Sequence, residues 1–313
     1  MVNEFLGDRI CCGTYAFLNL THDERIDEEL FEISTSVPFG IVHKRYPQYD
    51  HLLTPYCDPN EGMDGAIRCW GYQLERESYK NSDEVIEYLK RNLPVKRRVM
   101  IGPIDMGKLF YQPLVNLYRR LDHYIVVCMI DKGNVEIVDS EGIVGEVCTF
   151  EQLRKSLSVA GIPEAKDRYN VRSMQKIENV EEKMVVQYSL KRAVYNMGMC
   201  QKSDDGFEAF QKCWDYLKEI PSHQWSVALL YDFSYVMQRK ILHSKLLDLA
   251  ERYGLLNDRE KARMSEIVKR QMVLLGEMFS GLRRGEGLED ELFIEMDDAE
   301  AGLADRMLAW DSR

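Results

Sequence analysis

Three residues of types used in nucleophilic catalysis stand far apart in this sequence: Cys12, His123 and Asp139. A thiol attacks a carbonyl carbon once a histidine has removed its proton, and a carboxylate can orient that histidine and stabilise its cation. Long separations along the chain mean that the surrounding helices and strands must bring the three side chains together. We predict that they form a Cys–His–Asp catalytic triad.

A predicted β-hairpin begins just after His123 and ends at Asp139. Two β-branched runs of strand length form it, and they are joined by a three-residue loop at 131–133. With that loop, Asp139 falls opposite Ile125. Because strand side chains alternate, His123 lies on the same face, about 7–8 Å from Asp139 at Cα. A two-residue loop would place the pair on opposite faces, so the prediction depends on the turn.

Cys12 stands where a loop is predicted to become a helix that runs to about Leu20. At a helix N-terminus the unpaired N–H groups and the macrodipole favour a thiolate, which predicts a lowered pKa for Cys12. The same N–H groups can hold an oxyanion. Cys11 competes for the role of nucleophile, but Gly13 directly after Cys12 and the small Ala16 favour Cys12 as the residue at the cap.

Metal binding is the rival chemistry. His51, Cys57 and Cys69 have suitable side chains, but no C-x2-C or H-x3-H pair accompanies them. The sequence also lacks a glycine-rich phosphate loop and a G-x-S-x-G elbow. We therefore predict neither a metal nor a cofactor held by the protein.

The composition restricts the class of partner. The 313 residues carry a net charge of −11, which argues against nucleic acid because phosphate binding needs a basic surface. There is no run of about 18 apolar residues and no basic, apolar leader, so we expect no membrane association and a cytoplasmic location. Without a secretion signal, the eight cysteines are expected to be free thiols.

The pattern of elements predicts an α+β domain over 1–162 and then a linker over 163–182. An all-helical domain over 183–285 and an acidic tail over 286–313 follow. The helical domain would either cap the active site or form a homodimer, and the tail would be a mobile arm or an oligomer contact. Between residues 36 and 80, loops and short strands would line a substrate pocket with the aromatic side chains of Tyr46, Tyr49, Tyr56, Trp70 and Tyr72.

The motifs around the three candidate residues are similar to those of a known family. The chain resembles the papain-like fold of bacteriocin-processing cysteine peptidases and, more closely, the butirosin-biosynthesis protein H family, in which an all-helical domain follows. The matching residues are Gly7, Cys12-Gly13-Thr14-Tyr15-Ala16-Phe17, Asp27-Glu28-Glu29-Leu30-Phe31, Pro38-Phe39-Gly40, His123-Tyr124-Ile125-Val126-Val127 and Val135-Glu136-Ile137-Val138-Asp139-Ser140.

This resemblance implies an acyltransferase or amide synthetase of antibiotic biosynthesis, such as the closthioamide type. Such an enzyme takes an acyl group from the phosphopantetheine thioester of an acyl or peptidyl carrier protein onto its cysteine. It then transfers that acyl group to a small-molecule amine. It needs no cofactor of its own, because the substrate carries the phosphopantetheine. One alternative is a cysteine peptidase or amidase that uses the same triad. Another is a non-catalytic carrier-docking protein, in which the triad is vestigial.

Two sequence features bear on the choice between transferase and peptidase. The position before the nucleophile, often His in the family, is Cys11 here. Residues 1–11 contain no Gln, and Asn3 is their sole side-chain amide, so side-chain support for an oxyanion is unassigned. A thioester is already activated and demands less stabilisation than an amide, which favours the transferase.

Overall fold

A computed structural model describes residues 11–44, 52–112, 119–129, 134–139, 144–222, 227–285 and 287–312. The helices are α1 (Cys12–Thr21), α2 (Glu28–Thr35), α3 (Pro59–Cys69), α4 (Ser82–Lys96), α5 (Phe150–Ser156), α6 (Glu182–Gln201), α7 (Ala209–Lys218), α8 (Val227–Arg252), α9 (Asp258–Arg284) and α10 (Asp290–Asp311). The strands are β1 (Ile41–His43), β2 (Leu53–Pro55), β3 (Tyr72–Tyr79), β4 (Arg98–Asp105), β5 (Asp122–Met129), β6 (Asn134–Asp139), β7 (Val144–Thr149) and β8 (Tyr169–Lys176). This mixture of helices and antiparallel sheets is an α+β fold.

The chain divides into two compact units. The first lies within Met1–Phe31 and Met63–Asn179, and the second within Glu32–Gly62 and Val180–Arg313. In the first unit an antiparallel sheet has the strand order β3-β8-β4-β5-β6-β7. The chain thus enters the second unit before it completes the first, which local periodicity does not reveal.

The sheet of the first unit carries helices that pack on its strands. Helix α4 packs against β3, β4, β5 and β8, and its buried Val85 and Leu89 join a core that includes Ile125 of β5. Helix α1 packs against β4, β5 and β6. The neighbour of Ile125, Tyr124, lies instead next to Gly13 of α1, where an added Cβ would be 3.5 Å from the ring. Because side chains alternate along a strand, Ile125 of β5 joins the core beside α4, and Tyr124 lies next to α1.

The predicted linker over 163–182 is wrong for its central part. Residues Tyr169–Lys176 form β8, which pairs with both β3 and β4 inside the sheet. Its inward residues explain this placement, because Val171 and Arg172 are buried. Arg172 is completely buried and donates to Asp64 at 2.8 Å and to the Gly102 carbonyl at 2.9 Å. A strand with a buried arginine looks polar in the sequence, which explains the error.

The second unit contains α6 to α10 and the short β1–β2 sheet. Most of the predicted acidic tail over 286–313 is the helix α10, so the expectation of a mobile arm is wrong there. One face of α10 buries Phe293, Met296 and Leu303, while most of its acidic residues lie on the remaining surface. The stacked rings of Trp214 and Phe293, 4.7 Å apart, join α7 to α10.

All eight cysteines are free, as predicted. Among the residues that the structure describes, no helix is both long and apolar enough to cross a membrane.

Candidate functional site

His123 and Asp139 meet as the hairpin register requires. Ile125 pairs with Asp139 across β5 and β6, which confirms the predicted alignment, while the turn residues 130–133 lie outside the described part of the chain. His123 Nε2 lies 2.6 Å from Asp139 Oδ1, and both residues are buried, with exposed fractions of 1% and 2%. An ionised carboxylate only accepts hydrogen bonds, so it places the proton on Nε2 and leaves Nδ1 as the basic nitrogen.

Tyr111 adds a third residue to the His123–Asp139 pair, and the sequence did not predict this contact. Its hydroxyl donates to Asp139 Oδ2 at 2.5 Å, so each carboxylate oxygen has one donor. Burial and the charge of Asp139 raise the pKa of Tyr111, which keeps the phenol protonated and able to donate. Two donors hold the carboxylate in one orientation and thereby fix the plane of the His123 ring. Tyr111 and Asp139 are 28 residues apart with no motif between them, so no spacing signal could have paired them.

The segment that carries Tyr111 is anchored by a buried aspartate. Asp105 Oδ1 accepts the backbone N–H groups of Gly107 at 3.0 Å and Arg120 at 2.8 Å. These bonds join the end of β4, a short 3-10 turn at Met106–Lys108 and the approach to β5. The sequence therefore places a rigid turn directly before the tyrosine that supports Asp139.

Close packing between β4 and β5 also positions His123. A Cβ on Gly102 would lie 2.3 Å from the Tyr124 ring and 2.8 Å from the His123 carbonyl oxygen. Only glycine leaves this space, and the strand pairing shifts register here, between Ile101 and Ile104. Ile104 then pairs with His123. A larger residue at 102 would push apart the two strands on which the histidine depends.

Cys12 is the first residue of α1, with Cys11 as the N-cap, and it is half-buried. Its Sγ lies 3.8 Å from the carbonyl oxygen of Asp122, the residue that precedes His123. The structure therefore brings Cys12 to the start of β5 but directs its hydrogen bond to the backbone. Among the described hydrogen bonds, the sulfur makes none to the His123 ring. The His123–Asp139 half of the predicted triad is assembled, and the Cys12–His123 half stays a prediction.

The predicted low pKa of Cys12 is wrong. A hydrogen bond with the Cys11 side chain, burial, and the nearby Cys11 and Asp122 raise the pKa of Cys12 well above its ordinary value. The backbone N–H of Tyr124 opposes this only in part. Helix-terminus stabilisation was expected to dominate, but a neighbouring thiol and carboxylate outweigh it. Cys12 is therefore a neutral thiol at ordinary pH.

This raised pKa predicts slow alkylation of Cys12 that accelerates with pH. The iodoacetamide rate should still rise above about pH 8.5, where an unperturbed thiol begins to level off. Cys11→Ala should move the whole profile to lower pH, because it removes the largest cause of the shift. Peptide mass spectrometry at a series of pH values measures both profiles. A wild-type rate that is already constant at neutral pH would contradict the prediction.

The rival metal site receives no support from a cluster. Within the described ranges, no group of three or more His, Cys, Asp or Glu side chains could hold a metal ion, and His51 lies outside those ranges. Cys57 shares a hydrogen bond with Ser36 at 3.9 Å, and burial raises the pKa of Cys69 to about 12. Both thiols therefore have the character of buried structural residues.

The predicted aromatic pocket between residues 36 and 80 lies partly outside the described residues. Tyr46 and Tyr49 lie outside the described residues. Tyr72 donates to Asp23 Oδ2 at 2.9 Å and packs edge-on against Phe17 at 5.4 Å. These contacts give Tyr72 a packing role, and the predicted pocket stays a prediction.

Comparison with known proteins adds one partial similarity. No family model matches the chain. The chain is similar to the uncharacterized protein YobF of Bacillus subtilis (strain 168), with 26% identity over 159 residues. The match covers 48% of this chain and 50% of YobF, so the chain spans about half the length of the curated relative it matches. The function proposed next therefore rests on the side chains of this protein.

Proposed function

We propose that the protein is a cysteine-dependent acyltransferase of the papain-like type that forms amide bonds. The observation that carries the proposal is the hydrogen-bonded series Tyr111–Asp139–His123 together with a thiol at the start of α1. Cys12 Sγ lies 3.8 Å from the Asp122 carbonyl oxygen, directly before His123. A histidine with its tautomer fixed by a carboxylate is the general base that a neutral thiol requires.

The first half-reaction transfers the acyl group to the enzyme. The Cys12 thiol leaves the Asp122 carbonyl, gives its proton to His123 Nδ1 and attacks the acyl carbon of a thioester. The S–acyl bond of the donor breaks, and the departing pantetheine thiolate takes the proton from His123. The N–H groups of Thr14 and Tyr15 already donate to the Cys11 carbonyl, so the oxyanion falls to the amides of Cys12 and Gly13.

The second half-reaction forms the amide. An amine attacks the acyl carbon of acyl-Cys12, and His123 removes a proton from the amine. The Cys12 thiolate leaves and takes that proton from His123. Burial of His123 and Asp139 favours an amine over water, because a dry site restricts hydrolysis. The proposed donor is a carrier-protein thioester of specialised-metabolite biosynthesis, and the enzyme needs no cofactor of its own.

Product analysis distinguishes transfer from hydrolysis. Acyl thioesters of N-acetylcysteamine mimic the end of phosphopantetheine, and simple primary amines serve as acceptors. Chromatography should find more amide than free acid, with both products lost in Cys12→Ala. Free acid as the sole product would instead support the cysteine amidase that shares these residues.

Tyr111→Phe should weaken the transfer rate through His123. Losing a hydrogen bond to a charged group should lower kcat about 10-fold, with little change in KM. Tyr111 is a positioning residue, so the test includes the NMR resonance of the His123 Nε2 proton, which should shift or broaden. Phe110→Leu alters the ring that packs against Tyr111 at 5.2 Å and is the matched control. An unchanged His123 resonance together with unchanged kcat would reject this role.

A further inference from the structure

The buried face of α8, in the second unit, carries three basic residues. Arg239, Lys240 and His243 have exposed fractions of 2%, 0% and 3%, and they lie within about one helical turn of one another. Apolar residues dominate the rest of that face, including Val236 and Leu247. A cluster of bases inside an apolar core needs acceptors for its donors.

Two of the three bases have identified partners. Lys240 Nζ donates to Glu300 of α10, which is itself buried. His243 donates from Nε2 to the Pro38 carbonyl at 2.9 Å, and its ring stacks on Phe39 at 4.6 Å. Because Nε2 holds the proton, Nδ1 of His243 is an acceptor, and this buried atom has no hydrogen-bond partner in the described part of the chain.

The guanidinium group of Arg239 meets no acceptor among the residues that the structure describes. Its Nε, Nη1 and Nη2 are all buried without a hydrogen-bond partner there, and the guanidinium lies 4.1 Å from the centre of the Tyr235 ring. A guanidinium stays charged at any physiological pH, so burying it without a partner is strongly unfavourable. A ring face compensates only part of that cost.

Nearby buried carboxylates do not supply the missing charge. Glu300 is used by Lys240, and Asp297 of the same helix accepts the N–H groups of Phe210 and Gln211 at 3.0 and 2.9 Å. Asp232, about two turns before Arg239 on α8, accepts the N–H groups at 52 and 53. Among these described carboxylates, one pairs with Lys240 and none pairs with Arg239.

We propose that Arg239 and His243 bind a small oxyanion that also carries a hydroxyl group. The planar guanidinium matches two oxygens of a phosphate or carboxylate. The lone pair of His243 Nδ1 accepts from the hydroxyl, so hydrogen phosphate and hydroxycarboxylates fit, whereas chloride and acetate lack the donor. This site does not use Cys12, so the proposed oxyanion binding and the proposed transferase activity can be tested separately.

Thermal unfolding of the full-length protein in Tris chloride, at ionic strength held constant with NaCl, tests the site. Inorganic phosphate and glycolate are the probes, and acetate is the comparison that lacks a hydroxyl. At about ten times the Kd, a bound oxyanion should raise the wild-type Tm by about 2 °C. The rise should be smaller with acetate. Phosphate alone or glycolate alone as the active probe distinguishes the two ligand classes.

Arg239→Met should abolish the rise in Tm while keeping the volume of the side chain. In buffer without oxyanion this variant should be at least as stable as wild type, because it removes an unpaired buried charge. Arg270→Met is the matched control, since Arg270 lies on the surface of the same unit and pairs with Glu295 at 2.6 Å. It should keep the full response.

Native mass spectrometry before any addition detects an oxyanion retained through purification. Equal rises in wild type and Arg239→Met would overturn the proposal, and so would no rise in wild type together with no retained oxyanion. If Arg239→Met does not fold, His243→Phe decides instead. That variant keeps the stacking on Phe39 and should lose the preference for glycolate over acetate, and an unchanged preference would overturn the proposal.

Discussion

Replacing Cys12 by alanine is expected to lower turnover of an acyl N-acetylcysteamine thioester by at least about 10^4-fold, because the proposed acyl intermediate forms on the Cys12 sulfur. The side chain is half-buried at the first position of α1, so its removal should leave the fold intact. Circular dichroism and chromatographic assay of the released N-acetylcysteamine measure structure and rate on the same sample.

Cys11→Ala is the matched control for this variant. The two cysteines are adjacent and both half-buried, and the Cys12 sulfur lies 3.8 Å from the Asp122 carbonyl oxygen at the start of β5. We expect Cys11→Ala to keep turnover within a few-fold of wild type, or to raise it near neutral pH, since the pKa of Cys12 falls. Full turnover by Cys12→Ala would contradict both the transferase and the amidase hypotheses, and a non-catalytic binding role would be left.

Asp139→Asn should lower kcat by about 10^3- to 10^4-fold with a much smaller effect on KM. The amide can donate to His123 Nε2, which favours the tautomer with its proton on Nδ1. In that tautomer Nδ1 cannot accept the Cys12 proton. The Tyr111 hydroxyl also loses its charged acceptor, so the orientation of the group weakens. Steady-state kinetics at several pH values measure the loss.

Asp83→Asn provides the comparison for that variant, because the side chain of Asp83 is 71% exposed on α4 and takes no part in the site. It should keep wild-type kcat. A decrease caused by Asp139→Asn no larger than the decrease caused by Tyr111→Phe would show that the carboxylate does not set the tautomer of His123.

The parts of the site that depend on local pattern could be predicted from the sequence. Alternation and turn chemistry align Asp139 with Ile125, and glycine after Cys12 marks the start of α1. Both inferences use residues close together in the chain. Strand pairing then converts that local order into the His123–Asp139 contact at 2.6 Å.

Other parts depend on contacts between distant segments, which a single sequence does not show. The place of β8 between β3 and β4 follows from burial of Arg172 against Asp64, 108 residues away. The link from Tyr111 to Asp139 likewise needs the anchored turn at Asp105. The raised pKa of Cys12 arises chiefly from its neighbour Cys11 and from burial, and packing of α1 on β5 adds a smaller effect of Asp122.

Intact-protein mass spectrometry after mixing with an acyl N-acetylcysteamine thioester tests the acyl-Cys12 intermediate most directly. Wild type and Cys11→Ala should each gain the mass of one acyl group, and the gain should disappear when an amine is added. Cys12→Ala should gain nothing. An acyl adduct that persists in Cys12→Ala would contradict the assignment of the nucleophile and the mechanism built on it.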